Sequence, residues 1–129
     1  MIFQDVTTIA GGSNWYIGLC NETPDESAGL ADISTEPTSA GGYARQALVR
    51  NATDWPTVTT VNGHVVIRSA TVTFSASGAD FSGDITRAFL TSASSGTSGK
   101  LYSFSGALTT ALTVVDGQSF AMQYEAYLG

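Results

Sequence analysis

His64 and Cys20 are the single histidine and single cysteine of the chain, and nucleophilic or acid–base chemistry would start from them. A nucleophile needs a base held against it and a third group that orients the base. His64 directly follows a hairpin glycine, Gly63, and Cys20 closes an apolar run that starts at Trp15. No Gly-x-Ser-x-Gly elbow accompanies either residue, so no catalytic residue is assigned and the chain reads as a non-enzyme. Glu22, Asp25, Glu26, Asp32 and Glu36 crowd one stretch, and calcium takes clustered oxygen ligands. Their spacing does not follow an EF-hand loop, and one His with one Cys cannot close a zinc site. Neither a metal nor a cofactor is expected. Asp80 and Asp84 flank Phe81-Ser82-Gly83, and Asp54 precedes Trp55-Pro56. A glycoside-cleaving pair needs two acids facing across a cleft. At these spacings the aspartates read instead as turn caps bonded to nearby backbone.

Aromatic rings offer one further chemistry, stacking on sugars. Trp15, Tyr16, Tyr43, Tyr102, Tyr124 and Tyr127 lie in strand-like patterns and read as core. Trp55, ahead of Pro56 in a polar segment, is the ring expected at the surface, available to a partner or a glycan. Phosphate-binding loops and dinucleotide fingerprints are absent.

The elements that must position these residues are strands. From Ser119 to Leu128, Phe120, Met122, Tyr124, Ala126 and Leu128 alternate with Ala121, Gln123, Glu125 and Tyr127, which predicts one continuous strand. Ala70, Val72 and Phe74 alternate in the same way, and Ile85–Leu90 is apolar on both faces. Trp15–Cys20, Ala44–Arg50, Leu101–Phe104 and Leu112–Val115 complete the strands. Asn62-Gly63 predicts a tight hairpin between Thr57–Val61 and His64–Arg68, and Asp116-Gly117 another between Leu112–Val115 and Gln118–Met122. Asn21–Gly42, with two prolines, several glycines and the carboxylate cluster, reads as a surface excursion with one helical turn over Ala28–Ile33. Ser92–Gly99 reads as a polar loop. The sum is an all-β, single-domain antiparallel β-sandwich or jelly-roll of about eight short strands covering residues 1–129. Residues 1–14 read either as an N-terminal arm that adds a strand to a neighbour's sheet or as the first strand of the sandwich.

Composition narrows the partners. The chain has 129 residues, a net charge of −6 and only 12% charged residues, about half the usual share. Five Lys and Arg against eleven Asp and Glu exclude nucleic-acid binding through a basic face. One cysteine excludes an intrachain disulfide, no apolar run is long enough for a membrane span, and the N-terminus has no signal-peptide pattern. Synthesis and assembly in a cytoplasm follow, and the sequons at Asn21 and Asn51 are read as chance. A small acidic β-domain without an assembled site works by binding other proteins. The apolar Ile2, Phe3, Val6 and Ile9 are the first expected contact surface. The acidic Glu22, Asp25, Glu26 and Glu36 are the second, through electrostatic steering, and Trp55 completes the expected contacts.

Trp15-Tyr16-Ile17-Gly18-Leu19, Thr23-Pro24, Thr35-Glu36-Pro37 and Gly41-Gly42-Tyr43-Ala44-Arg45, with Phe81-Ser82-Gly83-Asp84 and Lys100-Leu101-Tyr102, resemble a group of small tailed-phage virion structural proteins. The resemblance spans roughly residues 15 to 128, and departs from the group at Phe81, where many relatives carry Trp. It implies a non-enzymatic virion component assembled in the bacterial host cytoplasm. A capsid decoration (cement) protein is favoured, stabilising the assembled head by binding it alone. The implied partners are the major capsid protein or other virion proteins, and further copies of the chain, as a trimer for instance. A minor tail or tail-fibre-like component, or a glycan-binding head fibre module, is the alternative.

Overall fold

Alternating apolar and polar side chains, broken by glycine and aspartate turns, divide the chain into short extended segments. The computed structural model describes residues 14–22, 27, 29–49, 53–55 and 57–128. Among them are nine strands: β1 (Asn14–Cys20), β2 (Gln46–Val49), β3 (Thr57–Val61), β4 (His64–Arg68), β5 (Val72–Ser75), β6 (Arg87–Thr91), β7 (Leu101–Phe104), β8 (Ser119–Met122) and β9 (Glu125–Leu128). Every pairing between them is antiparallel, in sheets ordered β2-β1-β6-β7, β3-β4-β9 and β5-β8. The fold is the expected all-β sandwich.

β1 and β6 form the spine of the four-stranded sheet, with Gly18 opposite Phe89 and Leu19 opposite Ala88. Trp15, Ile17, Leu19, Ala88 and Leu90 face one way, into a core completed by Val72 and Phe74 of β5 and the partly buried Phe120 and Met122 of β8. Burial of a side chain such as Leu90 or Phe74 stabilises the fold by roughly 1.5–3 kcal/mol each. Cys20 and Phe89 face the other way, against Leu30 and Ile33. The four-stranded sheet is therefore covered on both faces, which explains why Ile85–Leu90 carries apolar residues on both faces. Phe89 lies flush on the sheet because its cross-strand neighbour has no side chain. A Cβ on Gly18 would come within 2.3 Å of the ring.

The β3–β4 hairpin follows the expected register from Thr57 opposite Arg68 to Val61 opposite His64. Asn62 and Gly63 both take left-handed φ, 51° and 78°, the pair of values that a two-residue hairpin turn requires.

Three expectations need correction. Ser119–Leu128 is two strands in two sheets: β8 pairs with β5, and β9 pairs with β4. At the crossover Ser69 and Tyr124 bind each other, Ser69 N–H donating to the Tyr124 carbonyl and Tyr124 N–H to the Ser69 hydroxyl, at 2.9 and 2.8 Å. The side-chain alternation runs through this break because Phe120, Met122 and Tyr124 all turn toward the core. Leu112–Val115 is not a strand. Leu112 forms an isolated bridge with Ile85, and the Asp116-Gly117 turn leads the chain into β8 beside β5. Finally, the stretch from Asn21 to Gly42 is more than a surface excursion. It holds 3-10 turns at Leu30–Asp32 and Ala40–Gly42, and it buries Leu30, Ile33, Pro37 and Gly41.

Candidate interaction surfaces

The carboxylates expected to face a partner serve their own loops wherever they are described. Glu22 accepts from the N–H groups of Ser34 and Thr35 at 2.6 and 3.1 Å, and from the Thr35 hydroxyl at 3.1 Å. Asp32 accepts from Gly29 N–H at 2.8 Å, closing the first 3-10 turn. Glu36 receives Nε and Nη2 of Arg45, both at 2.8 Å, and the Tyr43 hydroxyl at 2.8 Å. Arg45 also donates to the carbonyls of Ala93 and Gly96 and stands 5.3 Å from the centroid of the Phe89 ring. The Tyr43 hydroxyl in turn accepts from Leu19 N–H of β1 at 2.9 Å. Burial, reinforced by the neighbouring Glu36 carboxylate, holds the Tyr43 phenol far above its usual range. Glu36, Arg45 and Tyr43 thus clamp the covering segment onto the sheet. Ile2, Phe3, Val6, Ile9, Asp25 and Glu26 lie outside the described residues.

Of the aspartates read as caps of nearby backbone, Asp54 is one, whereas Asp80 and Asp84 bind groups far along the chain. Asp54 accepts from Val49 N–H at 2.6 Å, Asp80 from Asp116 N–H at 2.8 Å, and Asp84 from the Thr113 hydroxyl at 2.6 Å. Trp55 is not at the surface. It is 8% exposed and packs edge-on against Trp15, with ring centroids 5.7 Å apart, because the 53–55 turn folds in over the start of β1. That burial removes it as a stacking platform for a sugar. Cys20 is fully buried, and burial pushes its thiol up to about 11. His64 is exposed at the start of β4. Among the described residues, no group of three or more His, Cys, Asp or Glu stands close enough to hold a metal ion.

The surface that residue types alone did not reveal is a groove of about 500 Å3 where the ends of β1, β6 and β7 meet the β8–β9 crossover. Phe104, Leu108, Phe120 and Met122 make its walls mostly apolar, and Leu108 is 43% exposed. Arg87 lines the same groove. Its Nη1 donates to the Ser105 carbonyl at 2.7 Å and its guanidinium stands 5.9 Å from the Phe104 ring centroid. Its Nε is buried with no acceptor among the described residues. Glu125, at the rim, is paired with Arg68. Four separate segments build this groove, and only the Phe120–Met122 alternation hinted at it.

Among the described residues, Glu22, Asp32 and Glu36 are engaged within their own segment, and an apolar groove opens beside the β8–β9 crossover. Residues 2–127 match the family of the podophage GP4 fiber I protein gp80, and the chain belongs to that family. It is therefore a phage virion structural protein, as the sequence resemblance implied, associated with other virion proteins. The matched family is one of fibre proteins and not specifically of decoration proteins. Searches among curated proteins and among solved structures found no match.

Proposed function

We propose that this protein is a non-enzymatic fibre component of the virion, a folded module held by and holding other virion proteins. The observation that carries this reading is the match to a fibre family across residues 2–127. The arrangement of its polar groups supports it. The described acids of the 22–36 cluster, Glu22, Asp32 and Glu36, are engaged by loop and turn hydrogen bonds, and the buried thiol of Cys20 is the opposite of an activated nucleophile. Capsid decoration, the role first favoured from the sequence, is the competing reading and is separated by one experiment. Purified virions are analysed by quantitative mass spectrometry against the major capsid protein, with antibody labelling in electron micrographs. Low copy number at fixed attachment points is the expected result. A copy number comparable to that of the major capsid protein, spread over the head, would assign decoration instead, and absence from virions would overturn both.

A further inference from the structure

Glycine follows an asparagine once in the chain, at Asn62-Gly63, and an aspartate once, at Asp116-Gly117. Both pairs invite one intramolecular reaction, attack by the glycine nitrogen on Cγ of the preceding side chain. Glycine permits it because no Cβ shields the nitrogen or hinders the backbone rotation that brings it up. The fold treats the two pairs differently. Asp116 accepts from Gly78 N–H at 2.8 Å, and Gly117 N–H donates to the Ala76 carbonyl at 2.9 Å. Target side chain and attacking nitrogen are both held there. Asn62 and Gly63 instead form the exposed tip of the β3–β4 hairpin. The ladder ends at the pair of Val61 with His64, so the Gly63 amide lies beyond it. Among the described residues, neither the Asn62 side chain nor Gly63 N–H has a hydrogen-bond partner. A Cβ on Gly63 would meet nothing within 4 Å, so no packing holds the tip in place. Asn62 is also, among the described residues, the one non-glycine residue with left-handed φ, a conformation that asparagine adopts at some cost. The other described asparagines precede bulky residues and are held. Asn14 pairs with Val49 in β1 ahead of Trp15, and Asn21 accepts from the Thr86 hydroxyl at 3.1 Å ahead of Glu22.

We propose that Asn62 is a site of spontaneous covalent modification, with water as co-reactant. Hydroxide takes the Gly63 amide proton and the nitrogen adds to Cγ of Asn62. The Cγ–Nδ2 bond breaks, and Nδ2 leaves as ammonia with a proton from water, closing a five-membered imide. Water then opens the ring. Cleavage at Cγ gives aspartate, and cleavage at the Asn62 backbone carbonyl gives isoaspartate, in which the chain runs on through Cγ. Nothing is oxidised or reduced. Either product adds one negative charge to a chain already at −6. Isoaspartate also puts an extra carbon into the backbone of a turn that works only with two residues, both at left-handed φ. It therefore loosens β3, which among the described residues is paired to β4 alone, from the open end of its ladder. The inference goes beyond the fibre reading and stands on the hairpin, wherever in the virion the chain is placed.

The test follows the purified full-length chain, folded and in urea, at about pH 6 and about pH 9. Trypsin cuts after Arg50 and Arg68, and electron-transfer fragmentation of the 51–68 peptide tells aspartate from isoaspartate at residue 62. In the folded chain Asn62 should convert at least about tenfold faster than Asn14 or Asn21, because a hairpin tip opens more readily than a strand within a sheet. Both products should form, faster at the higher pH. Asp116 should yield no isoaspartate in the folded chain and should yield it in urea. The isoaspartate form, isolated by ion exchange, should unfold at lower urea than Asn62→Asp, which carries the same charge on a normal backbone. Conversion of Asn62 in urea but no faster than Asn21 in the folded chain would overturn the site. Isomerisation of Asp116 as fast folded as in urea would overturn the protection ascribed to its hydrogen bonds. Equal stability of the isoaspartate form and Asn62→Asp would overturn the loosening of the hairpin.

Discussion

Replacing Glu36 by Gln asks whether the acids of the covering segment hold the fold or await a partner. The Arg45 side chain is 3% exposed and that of Glu36 21%, and the fork between them makes two contacts of 2.8 Å. Removing one partner of a buried ion pair costs about 3–5 kcal/mol, because the other charge stays behind. The partial exposure of Glu36, the oxygen that glutamine retains, and the Ala93 and Gly96 carbonyls on Arg45 reduce this to about 2–3 kcal/mol. For a chain of this length each kcal/mol moves Tm by roughly 3–5 °C, so Tm should fall by about 10 °C. Urea unfolding and near-UV circular dichroism at pH 7 measure both quantities. Replacing the pair together, Glu36→Leu with Arg45→Met, should recover most of the loss, since no uncompensated charge remains. A loss below about 0.5 kcal/mol for Glu36→Gln would refute the clamp. Unchanged stability together with lost incorporation into virions would return Glu36 to the role of partner contact.

Gly18→Ala should cost about 1–3 kcal/mol in urea unfolding, because the new methyl meets a Phe89 ring backed by Leu30 and Ile33, and adding Phe89→Leu should restore part of it. Trp55→Ala should cost about 3–5 kcal/mol by the same measurement, and a loss under 1 kcal/mol would place the ring outside the core. Cys20 should resist a disulfide reagent at pH 8 in the folded protein and react fully in urea, since burial raises the thiol to about 11, and rapid native reaction would contradict this. Tyr43 stays protonated in the folded chain at pH values where the unfolded chain has lost that proton. Its contribution to stability is therefore complete below about pH 10 and declines as pH rises beyond it, and Tyr43→Phe should flatten that decline in urea titrations between about pH 9 and 11.5.

What was legible in the sequence is what depends on near neighbours along the chain. Asn62-Gly63 between two β-branched runs specifies a turn and register with no help from the rest of the molecule, and β3 and β4 have the bounds expected. Asp54 was readable as a cap for the same reason, whereas the partners of Asp80 and Asp84, the Asp116 amide and the Thr113 hydroxyl, lie far along the chain and no local pattern announces them. The break between β8 and β9 was not legible, because alternation records which way side chains point and Tyr124 points inward on either side of a change of partner. The position of Trp55 failed for a related reason. A polar setting describes the neighbours in sequence, whereas the ring's surroundings are Trp15 and the core. Glu22 and Glu36 looked like surface acids because their donors, the Ser34 and Thr35 amides and Arg45, only converge on them once the segment folds over Phe89. The groove needed β6, β7, the loop carrying Leu108 and β8 to be brought together, and no single stretch encodes that.

The position of β1 between two antiparallel neighbours has a mechanical consequence. Hydrogen bonds in such ladders lie perpendicular to the strands. A pull on the chain before Asn14, with the groove end of the module anchored, runs along β1 and loads its pairs with β2 and β6 in shear. The bonds on both sides must then give way together, with the Gly18–Phe89 contact and the Tyr43 hydroxyl on Leu19 N–H resisting the same slide. β9, joined among the described residues to β4 alone, carries no such double grip. Under tension, the N-terminal strand is the stiff rod of this module and the C-terminal strand its weak seam.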